Sequence, residues 1–252
     1  VITLNINGVR AGITKGFIDY LDENKPDIIC LQEIKANEEQ IPVIEINSLG
    51  YESYWFSAQK KGYSGTAILS KISPDNVVKG MNIEKYDNEG RFIRIDIGQI
   101  TYISVYHPSG SSGDLRQAFK MQWLEDFHKY INQLRKERQY LVISGDYNIC
   151  HREIDIHDPV RNKTVSGFLP EEREWMEQFI NDGFIDTFRH LNKEPHNYTW
   201  WSFRANARQK NLGWRIDYNM VTENLISKIK NAFIQPDIYL SDHCPTGVIL
   251  DI

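Results

Sequence analysis

The chain has 252 residues, 41% hydrophobic and 25% charged, with a formal net charge of −5. A chain of this length buries a core without disulfides or a structural metal, and no apolar run approaches the roughly 18 residues that span a bilayer. Cys30, Cys150 and Cys244 are odd in number and set far apart in apolar contexts, which argues against a disulfide framework and for a reducing cytoplasm.

The opening "VITLNINGVR" already reads as a strand; no secretory leader is expected, and an initiator Met is expected ahead of it. In chain order, the apolar patterning predicts a strand at 2–6, a helix at 14–23 and strands at 27–32, 66–69, 92–97 and 101–106. A long helix follows at 116–136, then a strand at 140–144, a helix at 170–182 and strands at 198–202, 216–221 and 245–250. Pro170 in a first turn, followed by acids, suits the start of the third helix. With no repeat, low-complexity stretch or long linker, the chain reads as one α/β domain, 1–252, with sheets at its centre.

Polar residues collect where these strands stop. "TLNING" leaves the first strand at Asn5 and Asn7, and "PDIICLQE" ends at Gln32 and Glu33. "YISVYHPSG" ends a strand at Tyr106, and "YLVISGDYN" halts at Gly145 before Asp146 and Asn148. "GWRIDYNMV" carries Asp217, and "LSDHCP" sets Asp242 and His243 just ahead of the last strand. In a layered α/β fold, strand ends converge on one mouth where ligands bind. An isolated Asp-His pair would be a polar turn; one of six such ends is a contribution to a site.

No nucleophile motif, Gly-rich phosphate loop or zinc-spaced Cys/His cluster occurs. Carboxylate and amide oxygens with one histidine suit a hard cation such as Mg²⁺. An Asp beside an Asn can take a proton from water while the amide orients it, and a carboxylate-oriented histidine can stabilise charge on phosphate oxygen. Together these parts describe metal-assisted hydrolysis of a phosphate ester. The negative net charge argues against a nucleic-acid partner, but "FRANARQKNLGWR" (203–215) holds Arg204, Arg208, Lys210 and Arg215 without an acid. Interleaved with Trp200, Trp201, Phe203 and Trp214, it has the composition of a surface for phosphates and bases.

The ordered blocks "NINGVRA", "DIICLQEIK", "KGYSGTAILSK", "GDYNICHREID", "SGFLPEEREW", "NARQKNLGWRIDY" and "SDHCP" resemble the exonuclease III family of abasic-site DNA endonucleases, within the endonuclease/exonuclease/phosphatase superfamily. They run from residue 5 to 246. The resemblance implies a four-layer α/β sandwich, two packed sheets flanked by helices, with the active site at one end.

It also implies roles. Glu33 would be the principal Mg²⁺ ligand, with Mn²⁺ as a substitute ion, and Asn7 and Asp242 would lie near the same metal or a second one. Asp146, positioned with Asn148, would activate the attacking water; His243, held by Asp217, would contact the scissile phosphate. Tyr106, Asn5 and Asn162 would line the phosphate site, with Lys35 beside the metal ligand. Trp214 and Ile216, with Trp200, would enclose the extruded abasic sugar, and Arg208 and Arg215 would contact the DNA backbone. The expected partner is double-stranded DNA with abasic sites or 3′ ends, bound by a monomer.

Three departures from the family pattern stand out. Asn7 replaces an Asp of many members, leaving the number of metal ions open, and Val165 replaces a second Asn. "YHPSGSSGDLRQ" resembles a bacterial subgroup in which action at 3′ ends can outweigh abasic cleavage. A relative acting on inositol phosphates or sphingomyelin would lack the basic, Trp-rich loop. A secreted nuclease would pair its cysteines, and a non-catalytic DNA-binding descendant would have lost one of Glu33, Asp146, Asp217, Asp242 and His243.

Overall fold

The computed structural model describes residues 1–252. One six-stranded sheet contains β1 (Ile2–Asn5), β2 (Ile28–Gln32), β3 (Glu52–Phe56), β4 (Thr66–Ser70), β13 (Ile229–Ile234) and β14 (Thr246–Leu250), in the order β13-β14-β1-β2-β4-β3. The second contains β5 (Asn76–Lys79), β6 (Phe92–Ile97), β7 (Ile100–Tyr106), β8 (Tyr140–Asp146), β12 (Asp217–Thr222) and β9 (Phe184–Asp186), in the order β5-β6-β7-β8-β12-β9. A short ribbon pairs β10 (Trp200–Trp201) with β11 (Gly213–Trp214). The helices are α1 (Val9–Thr14), α2 (Phe17–Asn24), α3 (Val43–Ser48), α4 (Glu84–Asp87), α5 (Asp114–Glu137), α6 (Pro159–Asn162), α7 (Pro170–Asn181) and α8 (Thr187–Leu191).

Strand alternation assigns side chains to layers, because successive residues point to opposite faces. On β2, Ile29 and Leu31 join Phe17, Tyr20 and Leu21 of α2 in the outer core of the first sheet. On the second sheet, Ile103, Val105, Leu141, Ile143 and Met220 face outward onto Trp123, Leu124 and Phe127 of α5 and Trp175, Met176 and Phe179 of α7. Ile28, Cys30, Ile68, Ile93, Ile95, Val142 and Val221 fill the space between the sheets. The result is the four-layer α/β sandwich expected from the sequence.

The layer between the sheets changes character along its length. Past the apolar block it turns polar, and the polar groups are paired as buried polar groups must be. Gln32 Nε2 donates to Ser104 Oγ at 3.1 Å, Ser104 Oγ to the Leu31 carbonyl at 3.0 Å, and Ser144 Oγ to Asn219 Oδ1 at 2.7 Å. β1 runs parallel to β2, and β7 parallel to β8. Their C-terminal ends therefore lie at the same edge, where β12 begins beside the end of β8 and the segment 241–245 leads into β14. Gly145 permits the close pairing of β7 and β8 within the second sheet here, since a Cβ would lie 1.9 Å from the Val105 carbonyl oxygen.

The predicted helix 14–23 is α2, which starts only at Phe17 because Gly16 takes a left-handed φ of 96°; the preceding α1, Val9–Thr14, was not expected. The predicted strand 198–202 pairs only over Trp200–Trp201.

Candidate active site

The polar edge gathers the residues singled out from the strand ends. In register, Asn5 sits opposite Gln32, while Tyr106 and Asp217 flank Asp146 on either side. The backbone is bent to present the groups that follow: Asn7, Glu33, Lys35 and Asn148 all have left-handed φ between 46° and 51°. That conformation is costly for residues with a Cβ and clusters where function demands it.

Two linked groups result. In the first, Glu33 Oε1 accepts from Asn5 Nδ2 at 2.9 Å and from the Tyr106 hydroxyl at 2.8 Å, and Lys35 Nζ lies 2.6 Å from Glu33 Oε2. Lys35 also donates to Asn7 Oδ1 at 2.6 Å; Asn7 Nδ2 donates to Asp242 Oδ1 at 2.8 Å, and Trp200 Nε1 to Asp242 Oδ2 at 2.9 Å. In the second, His243 Nδ1 lies 2.9 Å from Asp217 Oδ2, while its Nε2 faces Asp146 Oδ2 at 4.0 Å. Asn148 offers Asp146 its backbone N–H at 2.8 Å and its side-chain amide at 3.2 Å. Asn5 joins the two, because its amide also donates to Asp146 Oδ2 at 2.9 Å.

The electrostatics separate the carboxylates. Burial, reinforced by Asp217, pushes Asp146 up to about 7, with His243 and the bonds from Asn5 and Asn148 opposing. Burial acts to lower His243, but Asp217, Asp146 and Asp242 overcome it and raise the imidazole to about 10. Glu33 and Asp242 go the other way. Burial would raise both, yet Lys35, Asn5 and Tyr106 hold Glu33 below its ordinary value, and His243, Asn7 and Trp200 do the same for Asp242. Burial and the neighbouring Glu33 raise the Tyr106 phenol well above its ordinary value, so it remains a donor at neutral pH.

The donors at this edge are carboxylate and amide oxygens. One atom of Asp146, Asp217 and His243 each lies within 4.8 Å of the others, and buried Asp217 Oδ1 has no hydrogen-bond partner. His243, raised to about 10, is cationic and no ligand in that trio; the carboxylates of Glu33 and Asp242 with the Asn7 amide oxygen, linked through Lys35 and the Asn7 amide, are the oxygen donors that fit a hard divalent cation.

Beside the polar edge stands an apolar wall. Ile216, Cys150, Ile156 and Phe168 form a buried cluster, and the half-buried rings of Trp200 and Trp214 pack on it edge to face, 5.9 Å apart at 86°. Gly167 makes room for this wall; a Cβ there would lie 2.8 Å from Trp214 Cζ3, and its φ is +100°.

Three expected DNA contacts are not available for that purpose. Arg215 is 1% exposed and is held by Asp155 and Asp186, with Nε 2.7 Å from Asp155 Oδ1 and Nη2 2.7 Å from Asp186 Oδ2. Alternation explains it: Trp214 and Ile216 share one face, so Arg215 points to the opposite one. Arg208 spends its guanidinium on the carbonyls of Pro236, Ile238 and Ser241, clipping the 203–212 loop to the 236–241 segment. Asn162 turns its amide back to the carbonyls of His157 and Asp158. The exposed cations of the basic stretch are Arg204 and Lys210.

Several supporting residues carry no mark in the sequence. Arg91 lies 4.6 Å over the Tyr106 ring and donates to the Tyr106 carbonyl at 3.0 Å. Asp155 and Asp186 hold Arg215, and Lys120 pairs with Glu172. Of these, Glu172 carried a signal as an acid in the first turn after Pro170, and Asp155 ends the block "GDYNICHREID".

Proteins of known activity share this architecture. The model of the endonuclease/exonuclease/phosphatase family matches residues 2–243, and the chain belongs to that family. It is 41% identical to an exodeoxyribonuclease of Bacillus subtilis, covering all of this chain and 99% of that protein. It is also 36% identical to a DNA-(apurinic or apyrimidinic site) endonuclease of Dictyostelium discoideum, over all of this chain and 70% of that one. Among solved structures, the 3′-5′ exonuclease of Neisseria meningitidis superposes with a TM-score of 0.93 at 26% identity, covering 100% and 99% of the two chains. No helix is long and apolar enough to cross a membrane.

Proposed function

We propose that this chain is a DNA-repair nuclease that hydrolyses the phosphodiester 5′ to an abasic site in double-stranded DNA and also acts at 3′ ends. A single unit spanning 1–252 would do this as a monomer, in the cytoplasm. The observation that carries the reading is the junction of two features: a carboxylate cluster and, joined to it by Ile216 next to Asp217 and by the Trp200–His243 bridge, the Trp200–Trp214–Ile216 wall. A base-less sugar fits against such a wall; a base would have to be unstacked at a cost of a few kcal/mol and then accommodated.

The chemistry follows from the charges. A carboxylate poised near 7 is a competent base at neutral pH, so Asp146 takes a proton from water that Asn148 orients. Water oxygen bonds to phosphorus as the bond from phosphorus to the 3′ oxygen breaks, and the departing 3′ oxygen takes a proton from solvent water to leave as a hydroxyl. His243, cationic and held by Asp217, donates from Nε2 to the phosphate oxygens as their charge grows. The protonated Tyr106 phenol and the Asn5 amide line the same place. Glu33, Asn7 and Asp242 would hold Mg²⁺, which supplies Lewis-acid stabilisation of that charge when bound.

The test is a duplex carrying one abasic analogue, incubated with Mg²⁺ and with excess EDTA. Incision at that site only with metal supports the reading; cutting undiminished in EDTA removes it. A second reading, predominant 3′-end trimming, is favoured by Val165 and by the "PSGSSG" segment, which presents no cation to a duplex. The same duplex with a recessed 3′ end measures the two activities side by side.

A further inference from the structure

Lys120 and Glu172 form an ion pair in which both side chains are fully buried, Nζ to Oε1 at 2.6 Å, behind the site rather than in it. Burial presses the Lys120 ammonium towards its neutral form, with Glu172 opposing. An isolated charge at such depth is very costly, and even a good buried pair is often no more stabilising than an apolar one of similar volume. Stability alone therefore gives no reason for the pair.

What it touches does. Lys120 Nζ donates to the Asn148 carbonyl at 2.8 Å, the far side of the residue whose N–H and side chain hold Asp146. Glu172 Oε2 accepts the backbone N–H of Gly167 at 2.6 Å and of Leu169 at 3.0 Å. Gly167 in turn accepts the Cys150 N–H at 2.7 Å and backs Trp214. Gln117 adds a donor to Glu172 Oε1 at 3.0 Å, and Ser166 Oγ lies 2.8 Å from Gln117 Oε1. Gly110 of the "PSGSSG" segment abuts the same two groups.

We propose that Lys120 and Glu172 are positioning residues. They tie the turn 146–150, which holds the base, to the segment 166–169, which backs the sugar wall, so that a sugar seated on Trp214 presents its phosphate to Asp146. This rests on the function proposed above. The tie fixes a distance between two loops that no continuous strand connects, and its loss would leave both halves formed but out of register.

The test uses the double variant Lys120→Met/Glu172→Leu, which replaces the pair by apolar groups. Backbone hydrogen exchange, followed without substrate, should accelerate about tenfold or more in 146–150 and 166–169 while that of 141–145 stays unchanged. Turnover on the abasic duplex should fall roughly ten- to hundredfold with KM within about threefold, the pattern of a lost transition-state geometry. Should the double variant not fold, Glu172→Gln, which sets an amide donor or a neutral oxygen against the Gly167 and Leu169 amides, is measured the same way. Unchanged exchange in the two segments overturns the proposal whatever the activity. So does turnover within about twofold of the parent in the folded variant, or a loss that merely tracks the folded fraction. If the parent protein fails to cut abasic DNA, the nuclease reading falls on its own, and the exchange result still decides the tie.

Discussion

Asp217 stands directly across from Asp146 in the β8–β12 pairing, and His243 is held by the first with its free nitrogen facing the second. Two carboxylates in adjacent buried positions cannot both be comfortably ionised. One is committed to the imidazole, and the other is left with a raised proton affinity.

The rate should therefore rise with pH through about 7 as Asp146 loses its proton, and hold until His243 loses its own near 10. Asp146→Asn and His243→Ala should each lower turnover by roughly 10²–10⁴ with DNA binding largely kept. A pH profile of kcat with filter binding on the same samples checks this; a loss of binding in proportion to rate would reassign the residue to substrate positioning.

The same shifts make a statement about stability. Asp146 and His243 both have folded-state values above their ordinary ones, so each contributes stability that is full at low pH. Asp146 loses its share as pH rises from about 4 through about 7, and His243 from about 6.5 through about 10. Removing the strained acid should relieve part of this: Asp146→Asn should melt a few degrees higher than the parent at pH 8 and little differently at pH 4. Thermal melts at the two values decide it, and a variant that melts lower at pH 8 would contradict the strain.

Glu33 ends an apolar strand with both carboxylate oxygens turned to polar partners and no packing role. Glu33→Gln should cut activity by about a hundredfold or more, in line with the loss of a metal ligand, with an unchanged far-ultraviolet circular dichroism spectrum. Calorimetric titration with Mg²⁺ should show the weakened site directly; equal Mg²⁺ affinity in the variant would remove Glu33 as the principal ligand.

The two classes of arginine should part company. Arg215→Ala takes the guanidinium from buried Asp186 and one of the two from Asp155, which keeps Arg189, and should cost about 3–5 kcal/mol of stability, with the surviving folded protein binding DNA normally. Arg204→Ala and Lys210→Ala should leave the melt unchanged while lowering the slope of log affinity against log salt by about 0.9 for each phosphate no longer neutralised. Urea titrations and salt-dependent anisotropy separate these outcomes, and a stable Arg215→Ala protein with weak binding would reverse the assignment.

Trp214→Ala should reduce abasic incision about tenfold or more while sparing removal of a 3′-terminal nucleotide, because a fraying end asks less of the wall. A parallel fall of both activities would make Trp214 a structural residue only.

The sequence was most legible where strands are central. β1, β2, β4, β7, β8 and β12 are buried almost throughout and close on polar residues, so their identity and their gathering of Asn5, Glu33, Tyr106, Asp146 and Asp217 could be read directly. The strands missed are the two-residue β11 and β3, β5, β9 and β13, the four edges of the two large sheets. Exposure breaks their pattern: "NVVK" and "IKNAFI" carry polar residues where a half-covered strand permits them. Arg215 was misread for a related reason. Composition marked the 203–215 stretch as basic, but whether a cation faces water depends on strand phase and on Asp155 and Asp186, which lie far away in sequence. The buried Lys120 left no trace, because a lysine inside a long helix ordinarily faces solvent.

The alternation along 214–217 also divides what this chain can change from what it must keep. Trp214 and Ile216 look onto the wall, whereas Arg215 and Asp217 are bound into the scaffold and the chemistry. Substrate range can thus drift through positions 214 and 216 without touching the interlocked charges, whereas Trp200 also donates to Asp242; a library randomised at 214 and 216 should yield mostly folded proteins with altered preferences. One randomised at 155, 186 and 215 should yield mostly insoluble chains.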